Sequence, residues 1–122
     1  MYQLSLQKKM NQKFIYNWIT QLKKSILPLL IMNMLAKREL YGYLLIVKIK
    51  ECTGYDISEG TIYPILNRLK TEGLVDHKWV EQKSGIPRKY YQLTVEGKSK
   101  LKELNMNWDI VVTDISKQIS HE

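Results

Sequence analysis

Residues Ile26 to Ala36 form a charge-free, largely apolar run of 11 in a chain of 122. A helix that spans a bilayer needs about 20 such residues. The run therefore predicts a helix over 24–36, buried at the centre of a soluble fold and apolar nearly all round, with Pro28 tolerated in its first turn. Lys23 and Lys24 imitate the basic region of a signal peptide, but Lys37 and Arg38 close the run and no small-residue cleavage site follows. A chain of this length around one central helix predicts a single domain with helical arms.

The other segments arrange themselves around that helix. Upstream, Ile15, Trp18, Ile19 and Leu22 recur at steps of three and four, the spacing of one helical face, which predicts an amphipathic helix over 12–22. Downstream, Tyr41 to Glu51 reads as a helix closed by Gly54. Ser58 is a good N-cap for a helix over 59–72 that aligns Ile62, Leu66 and Leu69 and stops before Gly73. Residues 75–81 and 89–93, rich in Val, Trp and Tyr, flank the turn-forming stretch Gln82 to Pro87 and predict two antiparallel strands. Thr94 opens a last helix on which Leu101, Leu104, Trp108, Val111 and Ile115 make a seam that one helix cannot bury alone. Three helices followed by a hairpin is the winged-helix order. The predicted fold is α+β, mainly α: an N-terminal amphipathic helix over 1–22, a winged helix-turn-helix domain over 23–93 and a C-terminal dimerisation helix over 94–122.

Charge narrows the function. A formal net charge of +7 favours a polyanionic partner, because Lys and Arg release counterions from phosphates; DNA, RNA and an anionic membrane all qualify. Its placement is more telling. Residues 1–25 hold five Lys and no acid, 26–77 balance six against six, 78–102 hold seven basic against two acidic, and 103–122 hold one against four. On the helix over 59–72, the side opposite the apolar stripe offers Gly60, Thr61, Pro64, Asn67, Arg68 and Thr71. Small and polar groups of this kind suit the base edges of a major groove. Lys83, Arg88 and Lys89 gather on the hairpin, within reach of a phosphate backbone or minor groove. Pro64 should bend its helix or delay its start; such a breach of a local rule is common at functional positions.

Catalysis is not expected. His77 and His121 are far apart, Cys52 has no adjacent base motif, and no phosphate loop or metal-ligand spacing occurs. Cys52, a lone cysteine, reads as a buried small hydrophobe in a reducing cytoplasm. No cofactor or metal is implied.

Four separated motifs carry a resemblance: Tyr41-Gly42-Tyr43; Ser58 through Leu69; Gly73-Leu74-Val75; and Arg88 through Thr94 with Gly97. In that order, and from about Lys24 onward, the chain resembles the PadR family of bacterial transcriptional regulators, in particular its compact members with a single C-terminal helix. The resemblance implies a homodimeric repressor on a palindromic double-stranded operator. Thr61, Tyr63, Pro64, Arg68, Arg88 and Lys89 would face DNA, and Tyr41 would start the preceding helix; Tyr41, Ser58, Asn67 and Lys83 complete the expected DNA-contact set. Residues 1–22 lie outside the resemblance; although the five Lys of residues 1–25 could equally contact DNA beyond the core site, Ile15, Trp18 and Leu22 are expected to pack on the partner's last helix, joining Leu101, Leu104, Trp108, Val111 and Ile115 at the dimer interface. Trp108, with Asn105 and Asp109, would hold a small planar aromatic effector there. For Tyr41, Tyr43, Tyr90 and Tyr91 the favoured reading is packing. The rival reading is a winged-helix protein-interaction module that does not touch DNA. A membrane-surface role is disfavoured, because Lys8, Lys9, Lys13, Lys23 and Lys24 are not aligned opposite one apolar face.

Overall fold

Apolar side chains at helical and strand spacing converge on one core in the computed structural model, which describes residues 2–119 and 121; positions 1, 120 and 122 of the predicted arms lie outside the described residues. The elements are α1 (Tyr2–Lys37), β1 (Leu40–Tyr41), α2 (Gly42–Thr53), α3 (Glu59–Thr71), β2 (Val75–Val80), β3 (Arg88–Leu93) and α4 (Val95–Ser116). The chain is 69% helical with a small antiparallel sheet, a winged helix of the α+β, mainly α class. Leu27, Ile31, Met32 and Leu35 of α1 meet Leu45 and Ile49 of α2, Ile62, Leu66 and Leu69 of α3, and Val75, Tyr91 and Leu93 of the sheet. No helix among the described residues is long and apolar enough to cross a membrane.

The two helices predicted over 12–22 and 24–36 are one helix of 36 residues, about 54 Å long at 1.5 Å per residue. Pro28 was the misleading signal, because proline suits a first turn; here it lies deep in α1 and only forfeits the bond to the Lys24 carbonyl. No Gly or Asn interrupts residues 20–26, and Lys is a good helix former. The joint is also braced from outside: Lys23 Nζ donates to the Thr53 carbonyl at 3.0 Å, setting a cation on the negative end of α2.

The caps of α2 and α3 follow the sequence closely. Gly54 closes α2 at φ 72°, in the left-handed region, and its N–H donates to the Lys50 carbonyl. Ser58 occupies the N-cap of α3, although its side chain makes no capping bond. Gly85 takes φ 85° and donates to the Gln82 carbonyl at 2.9 Å, closing the wing's turn. One strand escaped the pattern: Leu40–Tyr41 pairs with β3 in the register Leu40↔Tyr91 and Tyr41↔Tyr90, so Tyr41 ends a strand and caps α2 instead of beginning it. The sheet order is β1-β3-β2.

Thr94 joins the sheet to the last helix. Its hydroxyl donates to the Gly73 carbonyl at 2.6 Å and accepts from the Gly97 N–H at 2.9 Å, while its own N–H donates to the Leu74 carbonyl at 3.1 Å. One residue thus fixes the exit from α3, the base of the hairpin and the first turn of α4. The close approach requires Gly97, since a Cβ there would run into the Leu74 carbonyl oxygen. Backbone cannot yield as a side chain can, so Gly97→Ala should lower unfolding free energy by about 1–3 kcal/mol, read as an earlier denaturant midpoint; an unchanged midpoint would refute this account of the joint.

Candidate nucleic-acid interface

On α3, Ile62, Leu66 and Leu69 are buried and leave Pro64, Asn67, Arg68 and Thr71 exposed on the outward side, with Thr61 half-buried at the start. Ser58 is exposed before them, its Oγ 3.4 Å from Thr61 Oγ1. Thr71 Oγ1 donates to the Asn67 carbonyl at 2.9 Å, leaving the Asn67 amide uncommitted among the described residues. Pro64 neither breaks nor delays the helix, which begins at Glu59 and continues to Thr71. Its missing N–H instead leaves the Gly60 carbonyl without its usual helical partner, an extra acceptor near the positive end of α3.

Glycine and tyrosine set where α3 sits against α2. A Cβ on Gly42 would lie 2.5 Å from the Tyr63 hydroxyl oxygen and 2.8 Å from its ring, so the Tyr-Gly-Tyr motif makes room for Tyr63. Burial raises the Tyr63 pKa, with Glu59 adding to the effect, and the phenol stays a neutral donor. Beside it, Tyr41 meets Tyr90 edge to face at 5.4 Å, and the Arg88 guanidinium lies 4.1 Å over the Tyr41 ring. Lys89 Nζ sits 5.6 Å from the ring centres of both Trp79 and Tyr91. Tyr41, Tyr63, Trp79, Arg88 and Lys89 line one groove of about 590 Å³ running from the start of α2 past Tyr63 to the wing, with Tyr90 and Tyr91 behind them. Of the tyrosines assigned to packing, Tyr91 is buried and Tyr41 and Tyr90 are half-buried, but Tyr43 is 62% exposed and lines the groove instead.

Lys83 is exposed in the wing's turn and does not line this groove. Lys78, counted with the basic half of the chain, is neutralised by Glu39 at 3.0 Å. The half-buried His77 ring faces Tyr91 across 6.1 Å. Desolvation lowers its pKa, with Lys89 and Lys70 pushing the same way and Asp76 opposing them, so it adds no cation at neutral pH. Trp79, Tyr43 and Pro87 are the groove residues the sequence reading missed; the signal for Trp79 was its place two residues beyond His77 on the alternation begun by Val75.

Away from this face, two apolar seams are bare. Ile15, Trp18 and Leu22 are exposed on α1, as are Leu104, Trp108, Val111 and Ile115 on α4. Leu101 is different: it is buried in the protomer's own core, so the open seam begins at Leu104. Asn105 is tied to α1, exchanging reciprocal side-chain bonds with Asn33 at 3.0 Å, while Trp108 and Asp109 remain exposed. Cys52 is exposed, not buried: it shares the side of α2 that carries Leu45 and Ile49 but falls in the last turn, where it lines an open surface pocket with Lys48 and Glu51. Among the described residues no cluster of His, Cys, Asp and Glu could hold a metal ion.

The Gly42–Tyr63 contact yields a double-mutant test. Gly42→Ala should cost about 1 kcal/mol or more by displacing the ring, whereas the same change in a Tyr63→Ala background should cost little, giving a coupling energy by chemical denaturation. Additive losses would mean that the two residues do not position each other.

Residues 31–103 match the model of the transcriptional regulator PadR-like family. Among solved structures, the chain is similar to a PadR-like transcription factor from Bacteroides fragilis, with 39% identity over 84% of this chain and 99% of the other at a TM-score of 0.70. It is similar to a PadR family transcriptional regulator from Eggerthella lenta, with 28% identity, 93% and 99% coverage and a TM-score of 0.82. A PadR-like transcriptional regulator from Bacillus cereus shares 32% identity over 84% and 99% of the two chains, at a TM-score of 0.75. With the winged helix, the four spaced motifs and the family match all falling on the same residues, the chain belongs to the PadR-like family of transcriptional regulators.

Proposed function

We propose that this regulator is a cytoplasmic homodimer that represses transcription by binding a palindromic double-stranded operator, and that a small planar aromatic effector releases it. One observation carries the DNA-binding part: Arg88 and Lys89 of the wing line one groove with Tyr63 of α3, the helix whose exposed side is small and polar, and neither cation has a carboxylate partner among the described residues. In this reading Ser58, Thr61, Pro64, Asn67 and Arg68 read the major groove, Tyr63 and Tyr41 hold the helix and Arg88 in place, and Lys83, Arg88 and Lys89 meet phosphates. Basic groups on both helix and wing are what a protein-interaction module would not need.

Electrophoretic mobility shifts at graded salt test this. Affinity should fall steeply as salt rises. Lys89→Ala should weaken operator and random duplex alike and lower the log–log slope by about one, whereas Asn67→Ala or Arg68→Ala should cost about 1–3 kcal/mol on the operator alone. Failure to retain any duplex at low salt would move the chain to the protein-interaction reading.

The homodimer is inferred from the bare seams on α1 and α4, each too apolar to face water. It would set two copies of α3 about 34 Å apart, on successive turns of one face of the duplex. The effector part rests on Trp108 and Asp109, an aromatic face beside a carboxylate; Asn105 contributes only the hydrogen-bonding capacity that Asn33 leaves. A planar cationic dye should quench tryptophan emission and loosen the operator complex, and Trp108→Ala should abolish that response. Quenching that survives the substitution would sink the effector site while leaving DNA binding intact.

A further inference from the structure

Strand alternation assigns Val75, His77 and Trp79 of β2 to the face of the hairpin that carries Leu93, Tyr91 and Lys89 of β3. Near the base this face is core: Val75, Tyr91 and Leu93 are buried. Toward the wing tip the helices that cover it run out, His77 is half-buried, and Trp79 is left 64% exposed. A tryptophan on the core-facing side of a sheet, past the end of the core, has a large apolar face and nothing in its own chain to lay it on. The outer face, by contrast, carries the polar Asp76 and Lys78.

Lys89 is Trp79's cross-strand neighbour, and its ammonium is held between the Trp79 and Tyr91 rings at 5.6 Å from each. That positioning limits its rotamers before any ligand arrives. Arg88 is fixed on Tyr41 across the groove, and no carboxylate lines the space between. The groove therefore offers an exposed indole beside the Lys89 ammonium, with Arg88, which alternation sends to the other face of β3, at its margin.

Resting on the DNA-binding reading above, we infer that Trp79 and Lys89 form a cradle for one sugar-phosphate unit of duplex DNA, with the deoxyribose against the indole and the phosphate on the Lys89 ammonium. Apolar sugar faces alternating with anionic phosphates match this alternation of ring and cation; a solvated inorganic anion would leave the indole bare. The contact is blind to base sequence. Trp79 contributes apolar burial, which salt does not screen, and Lys89 contributes counterion release, which salt does.

Full-length protein and its Trp79→Ala and Trp79→Phe variants test the cradle against operator and random duplex over a range of salt. Trp79→Ala should weaken binding to both by about tenfold with the salt slope unchanged, and Trp79→Phe should retain most of the affinity. An unfolding midpoint equal to that of wild type confirms that the exposed site leaves the fold intact. With 5-fluorotryptophan in the three Trp positions, the fluorine resonance that Trp79→Phe removes should shift on adding random duplex, and should not shift with deoxyadenosine monophosphate at the same nucleotide concentration. Wild-type affinity in Trp79→Ala, a loss confined to the operator, or an equal shift with the monophosphate would each overturn the cradle while leaving DNA binding in place. A wild-type protein that binds no duplex would overturn both readings.

Discussion

Strand β3 is the piece on which the rest of the surface proposed to face DNA is hung. It is the middle strand, hydrogen-bonded on one side to the two residues of β1 and on the other to all of β2. Tyr91 and Leu93 enter the core from it, and Arg88 and Lys89 leave the core at its other end. Anchoring at the base thus sets direction at the tip. The pairing of Tyr41 with Tyr90 brings one aromatic ring under Arg88, and that of Trp79 with Lys89 brings a second ring to the neighbouring cation. Arg88 and Lys89 are oriented by strand register and ring faces, with no ion pair to either among the described residues.

A similar economy governs α3. Its apolar stripe fixes rotation about its own axis, Gly42 fixes how near it lies to α2, and Thr94 fixes where it ends relative to the hairpin and α4. None of these devices occupies the exposed side at Pro64, Asn67 and Arg68. The surface can therefore change its chemistry while the scaffold beneath stays the same, as expected where function is carried by a site and not by the fold.

Most of the architecture was legible because its signals are local. Gly54, Gly73 and Gly85 sit at positive φ where the sequence places caps and a turn, and Ser58 and Thr94 occupy N-caps. What was not legible depends on distance or context. Two residues of β1 carry no periodicity, and only their pairing with β3 makes them a strand. Pro28 reads the same way in a first turn and in a helix interior, so the continuity of α1 rested on packing the sequence does not display. Leu101 shares the spacing of the α4 seam but falls where that helix still touches the core. Asn105 pairs with a residue 72 positions away. Trp79 was passed over because aromatic residues in strands usually belong to a core, and nothing in the sequence marks where the core stops.

The unbroken α1 ties the stability of its leading half to whatever covers it. With no hinge near Lys23, the leading half cannot fold back to shield Ile15, Trp18 and Leu22 against its own protomer; it projects as a rigid extension of the core helix. Whatever covers those side chains adds its binding free energy to the folding equilibrium, so stability becomes a function of how much of the covering surface is present. Where that surface is a second copy, as proposed, dilution loosens the projecting arm while the core from Leu27 to Leu101 stays buried within the protomer.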